Sequence, residues 1–437
     1  MSQVPSSRRE FLKQSAVAAG AAAVLSSGLA RGVHAAGSDL MKIALIGCGG
    51  RGTGAANDCL NAAKILNQPM KLIAVADAFE DRTRGSLSHL QKAWPEQVDV
   101  PQERVFVGLD AFQKAIDCGV DMVVMGTPPG FRPQQYTAAV KAGKHVFMEK
   151  PCCTDAHGYR QLVEANKMAD EKGLKVVVGL QRHHQAGYIQ GIKEIHDGKL
   201  GDVEYLRVYW NGSGGGARDL GPRPVNDPKE MEFQIRNWGC FLWLYGDNIV
   251  EQHVHNIDIG NWVMCSDGNP QNAHPVEANG MGGRGNRGNY GDIFDHHFVE
   301  FTYADGTKMY SQSRHQPGTW DAVSEFVHGT KGERGVATGG GPKLESDNAY
   351  VQEHVDLIKA ITNNEKLNEG WHAAVSSMTA VLGRMATHSG QVVKWDDAVA
   401  KGPQESPEQV AWDAAPRHVP GPDGFYPFPI PGQYKPY

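Results

Sequence analysis

A short apolar segment that runs straight into glycines is the feature that most constrains the fold of this chain. Residues 41–54 read MKIALIGCGGRGTG, so that Gly47, Gly49 and Gly52 form a G-x-G-x-x-G pattern after a predicted strand. Such glycines allow a tight turn, a close backbone approach to a pyrophosphate and room for the next helix, whose N-terminal amides bind phosphate. The pattern predicts the first strand, turn and helix of a dinucleotide-binding fold, with Arg51 among the cofactor contacts.

The second apolar segment supports this prediction and addresses the choice of cofactor. It reads KLIAVADA and brings Asp77 to the end of a predicted strand. An acid at this position accepts hydrogen bonds from the ribose hydroxyls of adenosine and repels a 2'-phosphate. The sequence therefore predicts NAD as the cofactor, while the neighbouring Arg82 and Arg84 leave NADP possible.

Two more apolar segments end in proline-fixed turns. VDMVVMGTPP predicts a buried parallel strand followed by Thr127 and Pro128, where contacts to the nicotinamide side are expected. KHVFMEKP predicts another strand and places Glu149 and Lys150 at its carboxyl end, where ligands bind in open α/β sheets. A lysine there can hydrogen-bond a substrate hydroxyl and help to move its proton. The alternative is a surface lysine that merely follows a strand.

These motifs together resemble the Gfo/Idh/MocA family of oxidoreductases, which includes glucose-fructose oxidoreductase and inositol dehydrogenase. The resemblance rests on the glycine pattern, the Thr127 and Pro128 turn and the segment AGKHVFMEKP, and it extends over residues 41–398. It implies an α/β protein with an N-terminal Rossmann domain, a doubly wound parallel sheet, and a C-terminal α/β domain with a large open mixed or antiparallel sheet. Arg132 departs from the family, in which many members have a histidine after this turn.

The second half of the chain has a different pattern. GDVEYLRVYW, HHFVEFTYADGTKMYSQSRH and SEFVHGTKG alternate in polarity and predict strands of an open sheet with one covered face. The glycine-rich stretches NGSGGGARDLGP and NGMGGRGNRGNYGD are predicted to be loops, either at the surface or in the wall of a site. We expect a signal segment at 1–36, a Rossmann domain at 40–182, a substrate-binding sheet domain at 183–345, helices at 346–400 that pack back on the first domain, and a proline and aromatic tail at 401–437.

The tail is expected either to clamp a neighbouring subunit or to stay loose, because its prolines prevent a helix.

The segment EQHVHNIDIG combines acids and histidines. In a continuous helix Glu251, His255 and Asp258 would share one face, while His253 would point elsewhere. Histidines two residues apart on a helix do not converge on a metal ion, so no metal site is predicted. The remaining readings are a packed helix and a proton-transfer site.

The family resemblance favours the proton-transfer site. Family members carry an Asp-x-Gly-x-His-x-x-Asp segment whose first acid and histidine face the nicotinamide beside the lysine of the Glu-Lys-Pro motif. This resemblance assigns Glu251 and His255 to those roles, together with Lys150. Glutamate in place of the aspartate, and His253 in place of the glycine, bear on the geometry of the substrate.

Further residues are assigned to the substrate or held as alternatives. The predicted substrate contacts are Arg182, His183, Trp238 and Asp258, and the predicted cofactor contacts also include Thr127, Pro128, Glu149 and Lys150. If His255 only packs, the base is expected among His183, His184 and Tyr188.

Composition and the first residues constrain compartment and partners. The 43 basic and 49 acidic side chains give a net charge of -6, which argues against nucleic acid and anionic membranes as partners. Residues 7–13 read SRREFLK, a twin-arginine export motif, and precede an alanine-rich run that is shorter than the roughly 20 residues a membrane span needs. We expect a periplasmic or otherwise exported protein that folds with its cofactor in the cytoplasm. The seven cysteines show no metal-binding spacing.

Three functions compete at this stage. The first is an NAD(P)-dependent oxidoreductase that acts on a ring hydroxyl of a sugar, glycoside or cyclitol, keeps its cofactor and forms a homo-oligomer. The second is an NAD-dependent glycoside hydrolase that uses transient oxidation at C3 followed by elimination. The third is a binding protein with a vestigial cofactor, against which the intact Lys150 and His255 count.

Overall fold

A computed structural model describes residues 40–212, 217–285 and 288–437 of the 437-residue chain. The export signal expected at 1–36 lies outside the described residues and stays a prediction. Within the described ranges, no helix is both long and apolar enough to cross a membrane.

The first sheet has six parallel strands in the order β3-β2-β1-β4-β5-β6, which confirms the predicted doubly wound sheet. Strands β1, β2, β4, β5 and β6 are buried nearly throughout, since helices cover both faces, whereas β3 at the edge is partly exposed. The chain order reverses between β1 and β4, and ligands bind at the carboxyl ends of strands at such a point. The strands are β1 Met41–Ile46, β2 Met70–Asp77, β3 Val105–Val107, β4 Met122–Met125, β5 His145–Met148 and β6 Val176–Val178.

The helices of this half follow the strands and begin close to the sheet edge. They are α1 Gly50–Ile65, α2 Glu80–Ala93, α3 Ala111–Asp117, α4 Arg132–Lys141, α5 Ala156–Glu171 and α6 Ala186–His196, with short 3-10 helices at Gln102–Arg104, Pro129–Phe131 and Gln181–His184.

The second sheet has seven strands in the order β12-β11-β7-β10-β9-β8-β13. Only β7 and β10 pair in parallel, which confirms the predicted open mixed sheet. Burial alternates along β9, so one face packs into the core and the other is partly exposed. The strands are β7 Val203–Gly212, β8 Glu277–Gly283, β9 His296–Thr302, β10 Lys308–His315, β11 Ala322–Gly329, β12 Gly332–Gly335 and β13 Val393–Lys394.

Helices of the second half join the two sheets. Val355 and Ile358 of α11 pack in one core cluster with Leu60 of α1. Helix α12 is buried along most of its length and contacts both α5 and strand β8. These helices are α7 Glu230–Arg236, α8 Leu242–Tyr245, α9 Asn248–Glu251, α10 Val254–Met264, α11 Ala349–Thr362, α12 Gly370–Ser389 and α13 Trp395–Lys401, with 3-10 helices at Trp238–Cys240 and Pro270–Asn272.

Both predicted glycine-rich loops begin within strands. Residues 279–283 lie in β8, and Asn211 and Gly212 end β7, so the loop prediction was wrong at these positions. The glycines of β8 serve close packing. A Cβ on Gly280 would lie 2.4 Å from the carbonyl oxygen of Phe298 and 3.0 Å from Cγ2 of Thr387. Glycine here lets helix α12 approach the sheet.

The tail at 401–437 packs along its own chain. Tyr426 is 2% exposed, and its hydroxyl donates to Oε1 of Glu230 at 2.5 Å. The Gln234 amide donates to the carbonyl oxygen of His418 at 2.7 Å. The tail is therefore neither loose nor free to clamp a neighbour with these residues.

Candidate active site

A cavity of about 600 Å³ lies at the carboxyl ends of the first sheet, between that sheet and segments of the second half. Gly52, His183 and Asp258 do not line it. The sequence-predicted residues that do are Gly47, Gly49, Arg51, Asp77, Thr127, Pro128, Glu149, Lys150, Arg182, Trp238, Glu251 and His255.

The glycine turn after β1 has no room for a side chain at Gly47 or Gly52. Gly47 has a φ of +92°, and a Cβ there would lie 2.4 Å from the backbone nitrogen of Thr127. A Cβ on Gly52 would lie 1.9 Å from the carbonyl oxygen of Gly47, so Gly52 serves packing of the turn rather than contact with the cleft. Gly49 faces open space and precedes α1 without a side-chain cap. This cradle fits the pyrophosphate of a dinucleotide.

Asp77 lies at the adenosine end of the cradle. Its Oδ2 accepts from the Cys48 amide at 2.7 Å, and its Oδ1 accepts from the Phe79 amide at 3.0 Å. Burial raises the pKa of the Asp77 carboxyl, and the two amides oppose that rise. The carboxyl is therefore held in place where a ribose would bind. Arg82 also lines this end.

Arg51 connects the glycine turn to the end of β5. Its Nε lies 2.6 Å from Oε1 of Glu149, which is 3% exposed, and its guanidinium lies 4.9 Å from the ring centre of Tyr350. A Cβ on Gly179 would lie 2.5 Å from Oε2 of Glu149, so the end of β6 also packs against this carboxylate. The ion pair fixes the strand edge that carries Lys150.

Lys150 and Glu251 meet across the cleft although 101 residues separate them in sequence. The Lys150 Nζ donates to Oε1 of Glu251 at 2.8 Å and also to its backbone carbonyl. The two side chains are 12% and 10% exposed. The ammonium group is therefore held in a mostly desolvated site, where its hydrogen bonds are stronger than in water.

His255 lies in the same cavity and is 7% exposed. Its ring stacks on Trp210 with centroids 5.8 Å apart, and its buried Nδ1 has no partner among the described residues. Burial, together with the charges of Lys150 and Arg182, holds the pKa of His255 well below its usual value. The imidazole is therefore neutral at neutral pH and able to accept a proton.

The helix expected to present Glu251 and His255 on one face is interrupted. Glu251 ends α9 and His255 lies in α10, with a turn at Gln252 and His253 between them. The fully buried His253 bonds Oγ of Ser311 at 2.8 Å, which fixes the turn against the second sheet. The single-face prediction was wrong, yet both side chains reach the cleft.

The structure places His183 and Asp258 beside each other and outside the cavity lining. The His183 Nε2 lies 2.6 Å from Oδ2 of Asp258, and its ring stacks on Trp262 at 4.1 Å. Asp258 also accepts from Oγ of Ser376 at 2.8 Å. A buried carboxylate needs such partners. The cavity lining therefore gives no support to the expectation that His183 and Asp258 contact the substrate, which stays a prediction.

The alternative bases are also engaged elsewhere. His184 lies between Asp356 at 2.6 Å and Glu369 at 3.1 Å, and the Tyr188 hydroxyl donates to Oε2 of Glu325 at 2.9 Å. Neither lines the cavity. Of the four candidate bases, His255 alone faces the cleft.

Arg132 is a site residue whose role the sequence did not reveal. Its buried guanidinium donates to the carbonyl oxygen of Thr127 at 2.6 Å and to that of Pro151. Burial lowers its pKa. Arg132 thus ties the two turns that flank the reaction end of the cleft. The sequence signal was an arginine at a position where many family members have histidine. Only the fold shows which carbonyl groups the Arg132 guanidinium binds.

No group of three or more histidine, cysteine, aspartate or glutamate side chains in the described ranges is arranged to hold a metal ion. The lining of the cavity also includes three aromatic side chains, those of Trp210, Trp238 and Tyr245. Trp238 was predicted from the sequence, whereas Trp210 and Tyr245 were not, because tryptophan and tyrosine are common in strands and short helices.

The chain is similar to known oxidoreductases. Residues 41–180 match the Gfo/Idh/MocA oxidoreductase family with its NAD-binding Rossmann fold. The chain is 25% identical over 341 residues to inositol 2-dehydrogenase of Rhizobium meliloti (strain 1021), covering 72% of this chain and 89% of that protein. It is 27% identical over 186 residues to scyllo-inositol 2-dehydrogenase (NADP(+)) of Bacillus subtilis (strain 168), covering 42% of this chain and 46% of that protein.

A solved structure shares the fold. Scyllo-inositol dehydrogenase from Lactobacillus casei, with bound NAD(H) and scyllo-inositol, superposes with a TM-score of 0.59 at 20% identity, covering 82% of this chain and 99% of that one. At this identity the likeness shows the common architecture of a Rossmann domain and a second sheet.

Proposed function

With residues 41–180 carrying the Rossmann domain of the Gfo/Idh/MocA oxidoreductases, we propose that this NAD(P)-dependent enzyme oxidises a ring hydroxyl of a cyclitol, sugar or glycoside. The observation that carries the proposal is the convergence of Lys150, Glu251 and neutral His255 in one cavity with the dinucleotide cradle. The names of the relatives, which are inositol dehydrogenases, support a CH-OH group as the site of reaction.

Each group has a separate task in the proposed reaction. His255 takes the proton of the reacting hydroxyl, because its imidazole is neutral and faces the cavity. Lys150 donates a hydrogen bond to the same oxygen, and Glu251 holds the ammonium group in position. NAD, when bound, supplies the carbon that accepts the hydride. Arg132 and Arg51 keep the surrounding turns fixed, which preserves the alignment of these groups.

The walls of the reaction end support a polyhydroxylated ring as substrate. Trp210, Trp238 and Tyr245 offer flat apolar surfaces, while Arg182 and Gln252 offer hydrogen-bond donors. Arg182 is held by an ion pair with the buried Glu325, so it is a fixed donor rather than a mobile one. Such a mixture suits a ring that is apolar on its faces and polar at its edge.

We also propose that the enzyme is exported with NAD already bound and that it acts as a homo-oligomer. Export rests on the twin-arginine motif at 7–13, and the preference for NAD rests on Asp77. The exposed face of the second sheet supports self-association, since Tyr205, Phe298 and Tyr310 are only partly buried there.

The test follows the absorbance of reduced nicotinamide in the near ultraviolet while inositols, free sugars and glycosides are added to the NAD-loaded enzyme. Reduction without cleavage is the expected result for at least one inositol or sugar. Release of a sugar from a glycoside with no net reduction would contradict the proposal and support transient oxidation with elimination. If NAD is bound and neither reduction nor sugar release is seen, the result would favour a binding protein with a vestigial cofactor.

A further inference from the structure

The adenosine end of the cleft is bridged by residues from the second half of the chain. Arg236, the last residue of α7, places its guanidinium 3.8 Å from the ring centre of Phe79. Its Nη1 also lies 3.3 Å from Oδ1 of Asp81 on α2. Phe79, Ile235 and Arg236 all line the cavity. The second half therefore contacts the segment after β2, at the end of the cleft where adenosine would bind.

Arg236 is already paired with acids and is not free to receive a phosphate. Its Nε lies 3.0 Å from Oε1 of Glu232, in addition to the contact with Asp81. A receptor for the 2'-phosphate of NADP would need an arginine without such partners, and Asp77 adds negative charge at the same end. The stacking of Arg236 on Phe79 thus serves as a cover rather than as a phosphate contact.

The C-terminal tail holds this cover in place. The rings of Trp412 and Phe79 lie 5.7 Å apart, so the tail packs on the same phenyl ring as Arg236. The tail also binds α7 through Tyr426, whose hydroxyl donates to Glu230. Val410 of the tail joins the apolar cluster formed by residues of α7 and the loops after β2 and β3. Opening the adenosine end requires these contacts to break together.

We infer that Arg236, Phe79 and Trp412 form a cover, named here the adenosine cover, that retains NAD between turnovers by slowing its dissociation. The inference rests on the proposed function and adds to it the residues responsible for retention. These residues touch neither Lys150 nor His255, so the cover acts on the exchange of the cofactor and leaves the chemical step unchanged. Retention by this cover would let the enzyme oxidise one substrate and reduce another on a single bound NAD.

The test measures the dissociation rate of NADH from the full-length protein by stopped-flow fluorescence, with excess NAD as the chase. Arg236→Ala and Trp412→Ala are each expected to speed dissociation by about two- to fivefold, the ratio expected for loss of one partly exposed cation–π or aromatic contact. Asp81→Asn keeps the contacts of Phe79 with Arg236 and Trp412, removes the surface ion pairs of Asp81 with Arg236 and Arg82, and is expected to give a smaller increase. Arg104→Ala, on a 3-10 helix outside the cavity lining, is the matched control and should dissociate at the wild-type rate.

Calorimetric binding of NAD and the single-turnover reduction rate distinguish the possible failures. If NAD binds to the wild type and Arg236→Ala and Trp412→Ala both release NADH at the wild-type rate, the adenosine cover is overturned while the proposed function stands. If the wild type binds no NAD, both the adenosine cover and the proposed function are overturned. Should Trp412→Ala fail to fold, as judged by its melting temperature, Arg236→Ala and Arg236→Lys decide the outcome. A slower reduction rate at saturating NAD in Arg236→Ala would overturn the separation from chemistry.

Discussion

The two halves of the chain build the cleft in different ways. The first half contributes Lys150 and a backbone cradle, which is formed by Gly47, Gly49 and the start of α1 and whose shape depends on missing side chains. The second half contributes side chains, since Glu251 binds Lys150 and His255 lines the same cavity from the next helix. A backbone site is a local property of the sequence, whereas a side-chain site depends on which distant segments meet. The difference predicts separable defects. Changes in the glycine cradle should weaken cofactor binding, and changes in Lys150 or His255 should slow the chemical step.

The largest expected effect is on the chemical step. His255→Ala and Lys150→Met should each lower the single-turnover rate of reduction of bound NAD by roughly 100- to 10,000-fold, the usual loss for a positioned acid or base. The affinity for NAD should stay near the wild-type value, since neither group belongs to the glycine turn that receives the pyrophosphate. The measurement is rapid-mixing absorbance of reduced nicotinamide, with NAD affinity by calorimetry.

Two surface substitutions control for nonspecific effects. His89→Ala on α2 and Lys167→Met on α5 are exposed, and both should keep the wild-type rate. A wild-type rate in His255→Ala would mean that the segment EQHVHNIDIG is only packed structure. A loss of NAD affinity equal to the loss of rate would erase the contrast between the two halves.

The next effect is on the cradle. Gly52→Ala places a Cβ 1.9 Å from the carbonyl oxygen of Gly47, so the turn must shift and the pyrophosphate site with it. Overpacking of this kind costs about 1–3 kcal/mol, and we expect NAD affinity to fall by at least about tenfold. Gly85→Ala in α2, where nothing lies within 4 Å of the added Cβ, is the matched control and should bind NAD normally. Unchanged affinity in Gly52→Ala would show that the turn tolerates the shift.

The same contrast explains what the sequence could predict. The parallel sheet, the cradle and Asp77 followed from local patterns, because glycine and strand ends have fixed structural requirements. The roles of Lys150 and His255 followed from the resemblance to a family. The break between α9 and α10 could not be predicted in either way, because it depends on the contact of His253 with Ser311 of β10.

Contacts between segments that are far apart in the chain were also missed. Arg236 meets Asp81 across 155 residues of sequence, and no local pattern marks such a pair. His183 was expected at the substrate, yet a buried Asp258 on a different helix binds its imidazole. In each case the decisive partner lies far away in the chain, where single-sequence patterns carry no information.

A smaller effect concerns the choice between cofactors. Asp77→Ala should shift the preference toward NADP by about tenfold, or 1.4 kcal/mol, because the carboxylate no longer repels a 2'-phosphate. The single-turnover rate at saturating cofactor should not change, since Asp77 lies at the ribose end. Asp77→Asn removes the charge and keeps one of the two side-chain oxygens, so it can accept from the amide of either Cys48 or Phe79. If only Asp77→Ala changes the preference, anchoring of the loop rather than charge determines it.

The smallest expected effect is a shift in the pKa of His255. Burial and the positive charges of Lys150 and Arg182 hold this pKa well below 6.5, so the imidazole stays neutral as the pH falls through 6.5 and gains a proton only at lower pH. The wild-type kcat/KM should therefore be level from pH 7.5 to about 6.5 and decline only below that ordinary histidine value.

Lys150→Met tests the electrostatic part of this account. The substitution removes a nearby positive charge and leaves the carboxylate of Glu251 without its partner, and both changes favour the imidazolium. The pKa of His255 should therefore rise toward 6.5, while burial still holds it below that value. Because the variant turns over slowly, the pKa is measured by NMR titration of the histidine ring, with His255→Ala to identify the resonance. A pKa of His255 that stays fixed or falls in Lys150→Met would show that burial alone sets it, and that the two halves of the cleft are electrostatically independent.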